Sequence, residues 1–129
     1  METTLFERLG EQNLRLMLDR FYDLVFAHEQ IGPLFKTDKT VIKEKQRLFL
    51  TQFLGGPPLY SEKYGHPRLR ARHLPHPITQ QDAEAWLSCM LAAIKALPVE
   101  DALKDELFQR FISPAMFMVN TGNDDGAGG

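Results

Sequence analysis

Hydrophobic residues recur at helical spacing in four long segments of the chain, with polar residues in the positions between them. Two of these helices are predicted at about 11–28 and 39–53, and a short helix at about 4–9 precedes them. A capping box of Thr79 and Asp82 opens the third, and the fourth covers about 101–119. No stretch alternates apolar and polar residues as a strand with flanking turns would. The pattern predicts an all-α fold.

The second and third long helices are separated by an unusual connection, residues 55–79, which reads GGPPLYSEKYGHPRLRARHLPHPIT. It holds five of the eight prolines and three of the four histidines of the chain. We expect a loop without regular structure, and loops of this length in compact domains are usually functional or disordered. Because it also carries Tyr60, Tyr64 and several leucines, we expect it to pack on a surface.

Composition narrows the class of protein. The 129 residues suit one domain, which we assign to 1–121, followed by a polar tail at 122–129 that is expected to be disordered. The single Cys89 cannot form an internal disulfide, and neither a secretory signal nor a membrane span is predicted. The net charge of −2 argues against general nucleic-acid binding. We therefore expect a cytoplasmic protein that binds neither nucleic acid nor membranes.

Three polar side chains fall on or beside the predicted inner faces of three different helices. They are Tyr22, Gln46 and Trp86. A buried donor without a partner costs about 1–3 kcal/mol, so these groups need hydrogen bonds. They can satisfy each other or together face a polar ligand. Taken singly, a tyrosine or tryptophan at such a position is most often a core residue with its polar tip in water.

The histidines give a second candidate chemistry. A zinc site needs about four ligands at close spacing, and one cysteine with four scattered histidines does not supply them. A haem needs only one axial histidine, because the porphyrin provides four nitrogens. Arginines at 68, 70 and 72 make a weak nucleic-acid signal, but arginine also pairs with carboxylates such as haem propionates. A solvated loop is the alternative.

Two strings carry a specific resemblance: FLTQFLGGPPLYSEKYGHPRLRARHLP at 49–75 and AWLSCM at 85–90. With Phe21–Tyr22 and the MVN at 118–120, they resemble the second group of the truncated haemoglobins, over about residues 4–120. The resemblance implies a two-over-two helical sandwich around haem b. It would explain the long loop, because that group largely replaces the usual proximal helix by a loop.

The resemblance also implies roles for individual residues. His73 would be the proximal iron ligand, and Tyr22, Gln46 and Trp86 would line the distal side. The remaining expected haem contacts are Phe35, Ile42, Lys45, Tyr60 and Arg72, the last three near the propionates. The chain departs from the family pattern at His76, where relatives usually show an aromatic residue, and at Pro114, which should kink or weaken the last helix.

Three functions are compatible with these features. The first is a haem protein that tightly binds dioxygen, carbon monoxide or nitric oxide at a five-coordinate iron. Two distal hydrogen bonds of about 1–1.5 kcal/mol each would slow oxygen release roughly 30- to 150-fold. The second is a haem enzyme that oxidises nitric oxide or reduces peroxide, with electrons from a separate reductase. The third is a helical interaction module without a cofactor. The residues leave open whether the protein is a monomer or a homodimer.

Overall fold

The computed structural model describes residues 3–35, 38–65 and 78–119. These ranges contain helices and turns and no strand, which confirms the all-α prediction. The elements in chain order are α1 (Leu5–Leu9), α2 (Glu11–Ala27), a 3₁₀ turn (Gly32–Leu34), α3 (Lys39–Phe53), α4 (Leu59–Tyr64), α5 (Gln80–Lys95) and α6 (Asp101–Phe117). None of these described helices is long and apolar enough to cross a bilayer.

The helix starts follow from local side-chain chemistry. The predicted capping box at α5 is present: the Thr79 hydroxyl accepts from the Asp82 N–H, and the Asp82 carboxylate accepts from the Thr79 N–H, each at 3.0 Å. The Asp38 carboxylate accepts from the backbone N–H groups at the start of α3. Gly10 separates α1 from α2 with φ of 85°, a conformation that glycine adopts without steric cost.

Helices α2 and α3 form an antiparallel pair, which is visible in a ladder of ion pairs between their outer faces. The pairs are Asp23 with Lys39 and Asp19 with Lys43, each at 3.0 Å, and Glu11 with Arg47 at 3.9 Å. The α2 numbers fall as the α3 numbers rise, so the two helices run in opposite directions. Exposed pairs of this kind contribute about 0–1 kcal/mol each, so the apolar contacts beneath them stabilise the packing.

Helices α5 and α6 form the second antiparallel pair, joined by the short turn at 96–100. Helix α2 also packs against α5, which stacks one pair on the other. The core lies between the pairs, and its fully buried side chains include Leu14, Met17, Phe21, Val25, Met90, Ile94 and Leu107. This is the two-over-two arrangement expected from the sequence.

The structure corrects the prediction that 55–79 lacks regular structure. Residues Leu59–Tyr64 form α4, a helix of six residues inside that segment. No side chain caps its N-terminus; instead Ser61 forms two hydrogen bonds with the Gln52 amide at 2.8 and 2.9 Å. A helix this short is held by such contacts with α3, and hydrophobic periodicity cannot detect it.

Two expectations about helix faces and helix ends also change. Val41 is one of the residues whose helical spacing predicts α3, but its side chain is 57% exposed. The last helix passes through Pro114 and ends three residues later at Phe117. Proline has no backbone N–H, so Pro114 removes one hydrogen bond from the last turn of the helix. The helix continues past it because only that one bond is lost. The predicted disordered tail at 122–129 lies outside the described residues.

Candidate functional site

Among the predicted site residues that the structure describes, Tyr22 is the most deeply buried, with 2% of its surface exposed. Its ring lies 6.2 Å from that of Phe26 and 6.3 Å from that of Phe35, measured between centroids. Burial alone raises the pKa of the Tyr22 hydroxyl, and no hydrogen bond to another described residue contributes. The hydroxyl therefore stays protonated and keeps its proton available for donation.

Trp86 and Tyr22 both contact the ring of Phe21. Its ring contacts Phe21 with centroids 4.9 Å apart and planes at 69°, and Phe21 in turn lies 4.8 Å from Tyr22. The opposite neighbour of Trp86 is Phe111 on α6, at 5.9 Å. Trp86 is only half-buried although it lies on the inner side of α5. Contacts on both sides hold this indole in place while part of its surface remains open.

Helix α3 contributes Ile42 and Gln46, which are one helical turn apart and both half-buried. Phe49 continues the same face. In the described part of the chain, no hydrogen bond joins the Gln46 amide to Tyr22 or Trp86, and the Trp86 indole N–H also has no protein acceptor there. The three polar groups therefore do not satisfy one another by direct hydrogen bonds.

Lys45 of α3 and Tyr60 of α4 both contact the ring of Tyr64. Tyr60 is buried, with 5% exposed, and its ring lies 5.7 Å from Phe49 and 5.0 Å from Tyr64. The ammonium of Lys45 lies over the Tyr64 ring at 4.9 Å from its centroid, a distance at which the ring face attracts a cation. The structure thus brings Lys45 into the same cluster as Tyr60, through Tyr64.

Phenylalanines that the site prediction left out connect these groups. Ring contacts of 4.8–6.3 Å run without interruption through Phe35, Tyr22, Phe21, Trp86, Phe111, Phe53, Phe49, Tyr60 and Tyr64. We call this series the aromatic chain. Its phenylalanines belong to apolar stripes, where helical periodicity does not distinguish a core residue from one beside a ligand. Phenylalanine is common at both kinds of position, so the residue type did not identify these side chains as part of the site.

A charged groove between α2 and α3 is a separate feature. Its lining residues are Arg15, Leu18, Asp19, Thr40, Lys43, Glu44 and Arg47. Helical periodicity places Lys43 and Arg47 on a different side of α3 from Ile42 and Phe49. Its charged groups are all paired: Asp19 with Lys43, Glu44 with Arg47, and Arg15 with Glu11 beside the groove. The hydrogen bond from Arg47 holds the pKa of the Glu44 carboxyl below its usual range. The groove therefore offers no unpartnered group for chemistry.

Three residues singled out in the loop, Arg72, His73 and His76, lie outside the described residues. Their predicted roles remain predictions. The structure consequently describes seven of the nine predicted site residues. It connects Phe35, Tyr22 and Trp86 at one end of the aromatic chain and Tyr60 with Lys45 at the other. Ile42 and Gln46 share one face of α3.

Comparison with known proteins places this arrangement in a family. Residues 4–120 match the family model described as bacterial-like globin. The chain belongs to this globin family. A curated relative, group 2 truncated hemoglobin YjbI of Bacillus subtilis, is 49% identical over 115 residues, which cover 89% of this chain and 87% of the relative. The chain is thus a group II truncated haemoglobin, as the resemblance of its loop indicated.

Solved structures agree with the assignment. The group II truncated hemoglobin from Bacillus anthracis superposes on this globin with a TM-score of 0.91 and 46% identity, covering 98% of each chain. The truncated oxygen-avid haemoglobin from Bacillus subtilis gives a TM-score of 0.87 and 47% identity, covering 92% of this chain and all of the other. Membership of the globin family implies a haem cofactor.

Proposed function

We propose that this globin binds haem b through His73 and binds dioxygen and other diatomic ligands tightly at a five-coordinate iron. The observation that carries the proposal is the state of Tyr22. It is buried and protonated, and its hydroxyl has no hydrogen-bond partner among the described residues. A bound ligand with a polar atom would accept a hydrogen bond from this hydroxyl, and such a bond contributes about 0.5–1.5 kcal/mol.

The apolar surroundings fit a haem. Phe35, Ile42, Phe49 and Trp86 pack against the core but remain only half-buried. A plain core would cover such side chains, whereas a flat porphyrin would cover their open surfaces. Lys45, beside the tyrosines of α4, adds a cation suited to a propionate. These features support haem between α2, α3 and α5.

The distal residues would divide the work of holding a ligand. When bound, haem iron supplies the coordination position for the diatomic molecule. The Tyr22 hydroxyl and the Trp86 indole N–H are donors that can stabilise its partial negative charge in a site shielded from water. Gln46 can donate to the ligand and accept from Tyr22. Ile42 offers no hydrogen bond, so it provides shape without polarity.

Relatedness adds support for tight oxygen binding. The structure from Bacillus subtilis is described as an oxygen-avid haemoglobin, and it is 47% identical to this chain. Slow release suits storage, sensing or chemistry better than delivery. We infer the same property here from the two donors, whose hydrogen bonds multiply in their effect on the dissociation rate.

A haem redox enzyme that uses nitric oxide or peroxide, with an external electron donor, is the second candidate. One observation favours it. The aromatic chain ends at Tyr64, whose side chain is 40% exposed, so aromatic contacts connect the candidate site with the surface. An exposed tyrosine is a residue that an external electron donor can reach.

Absorption spectra of the ferric, ferrous and carbon monoxide-bound protein test the proposal. A Soret band with five-coordinate ferrous features and a shift on adding carbon monoxide are the expected results. A protein that shows no Soret band after haem addition would be the helical interaction module instead. Slow oxygen release without turnover of nitric oxide or peroxide would favour binding over catalysis.

A further inference from the structure

Phe111 belongs to the buried stripe of α6, a helix that holds none of the predicted site residues. It is 3% exposed, and Leu103, Leu107 and Ala115 share its stripe at helical spacing. By that pattern Phe111 is an ordinary core residue. It differs from the other three because it is aromatic and meets the ring of a proposed ligand donor. Its ring centroid lies 5.9 Å from that of Trp86.

The orientation of the Trp86 indole depends on two rings. In the described part of the chain, its ring contacts are with Phe21, at 4.9 Å and 69°, and with Phe111, at 5.9 Å and 59°. No acceptor among the described residues holds the indole N–H, and the side chain is only half-buried. A tryptophan side chain turns about two torsions. Contacts with neighbouring rings therefore decide where this N–H points, and Phe111 supplies one of the two.

Phe111 also meets the α3 wall of the site. Its ring lies 5.6 Å from that of Phe53, which stacks on Phe49 at 5.7 Å and 20°. Phe49 continues the face of α3 that carries Gln46. Arg110 holds Phe53 from the same side: its guanidinium donates to the Phe53 carbonyl at 3.4 Å and lies 5.3 Å from the Phe53 ring centroid. Helix α6 thus fixes the rings of α3 and the indole of α5 relative to each other.

We propose that Phe111 is a positioning residue for ligand binding, whose ring keeps the Trp86 indole turned so that its N–H reaches the bound diatomic ligand. This role rests on the proposed function, in which Trp86 is one of two donors to that ligand. Without the Phe111 ring the indole gains room to turn away, and the ligand then loses one hydrogen bond. A helix without any predicted site residue would therefore set part of the oxygen affinity.

Oxygen release from the haem-loaded protein tests this role in a double-mutant cycle. Phe111→Leu removes the flat ring and should speed release at least about threefold. The upper limit is the roughly 5- to 12-fold expected when Trp86→Phe removes the N–H altogether. In the Trp86→Phe background, Phe111→Leu should change the rate by less than about 1.5-fold, because no N–H is left to position. Equal acceleration in both backgrounds would overturn the proposal.

Phe108→Leu is the matched control. Phe108 is a phenylalanine of the same helix that is half-buried against the core, and it is not one of the described ring contacts of Trp86. Phe108→Leu should release oxygen at the wild-type rate. Phe111→Met is a second probe in case the leucine variant does not fold, since methionine fills irregular space but has no flat ring. It should also speed release. Equal rates in Phe108→Leu and the Phe111 variants would assign the effect to general loosening of α6 and contradict a role for this ring.

The orientation of the indole can also be observed without measuring ligand release. Trp86 is the only tryptophan of the chain, so protein labelled with 5-fluorotryptophan carries its fluorine at one position. Fluorine NMR of the carbon monoxide-bound protein should give one resonance in the wild type and in Phe108→Leu. Phe111→Leu should shift this resonance or add a second one, because the indole leaves its original surroundings. A resonance that Phe111→Leu does not move would mean that the indole is held without Phe111.

The outcomes separate this role from the proposed function. A protein that shows no Soret band after haem addition overturns the proposed function, and the role of Phe111 with it. In a haem-loaded protein, Trp86→Phe can speed oxygen release while Phe111→Leu changes neither the rate nor the fluorine resonance. That result keeps the proposed function and overturns the role of Phe111 alone. A shifted resonance, with faster release only while Trp86 is present, supports both.

Discussion

The indole of Trp86 on α5 meets the ring of Phe21 on α2 nearly edge to face, with centroids 4.9 Å apart and planes at 69°. Because Phe21 precedes Tyr22 in the chain, this contact links the positions of both proposed donors. Edge-to-face pairs contribute about 0.5–1.5 kcal/mol beyond the area they bury. The contact therefore also resists movement of the indole relative to Tyr22.

Replacing Trp86 by phenylalanine should speed oxygen release. The smaller ring keeps an aromatic contact with Phe21 but removes the indole N–H, so one hydrogen bond of about 1–1.5 kcal/mol is lost. That energy corresponds to an oxygen dissociation rate roughly 5- to 12-fold faster, measured by stopped-flow displacement with carbon monoxide. Ser88→Ala, on the exposed side of the same helix, is the control and should release oxygen at the wild-type rate. An unchanged rate in Trp86→Phe would mean that the indole does not reach the ligand.

The assignment of the iron ligand predicts opposite results at two neighbouring histidines. His73→Ala should lose the five-coordinate histidine spectrum, because no other group is proposed for the proximal position. Added imidazole should restore the spectrum by binding in the space left by the removed side chain. His76→Phe should bind haem normally. The assignment fails if the alanine variant keeps its spectrum or if the phenylalanine variant loses haem.

Burial of Tyr22 predicts a specific pH dependence of stability. Its pKa is raised in the folded protein, so between about pH 10 and the folded pKa the unfolded chain loses this proton while the folded protein keeps it. Its contribution is thus complete below about pH 10 and is lost as the pH rises above it. The slope contributed is at most about 1.4 kcal/mol per pH unit.

Tyr22→Phe isolates this contribution. The free energy of unfolding, measured with denaturant at several pH values, should fall less steeply above about pH 10 in the variant than in the wild type. Below that pH the two proteins should differ by a constant amount. Parallel curves over the whole range would show that the hydroxyl reaches solvent in the folded protein.

The capping box of α5 predicts a modest loss of stability on mutation. Thr79→Ala removes the hydroxyl that accepts from the Asp82 N–H and should lower the free energy of unfolding by about 1 kcal/mol. Thr79→Ser keeps the hydroxyl and is the matched control, expected within about 0.5 kcal/mol of wild type. A serine variant as unstable as the alanine variant would assign the effect to the lost methyl group.

Local sequence signals predicted much of the fold. The capping residues at Thr79 and the glycine at position 10 act within one helical turn, so the chain around them is sufficient to identify helix ends. Apolar periodicity likewise predicted the buried stripe of α2, because that helix packs along its length. Val41 shows the limit: it continues an apolar stripe by spacing alone, yet it faces solvent near the start of α3.

Residue type and family resemblance predicted which residues form the candidate site. They did not predict how those residues are arranged relative to one another. Tyr22, Gln46 and Trp86 stood out because polar groups on inner faces need partners, and this is a property of the sequence itself. Whether they bond to one another depends on distances between helices that are remote in sequence. The structure shows no such bonds among the described residues, which leaves their donors available.

By itself, then, the sequence determined the helices, their buried faces and the polar groups among them, because these depend on side chains a few residues apart. Only the tertiary structure decided that α4 forms inside the long connection, and that Tyr64 there lies between Lys45 and Lys63 with Tyr60 behind it. It also decided that three phenylalanines from two helices, Phe111 on α6 and Phe53 and Phe49 on α3, join Trp86 to Tyr60. The reason is physical: a six-residue helix and a chain of ring contacts exist only where packing brings separate helices within a few ångströms.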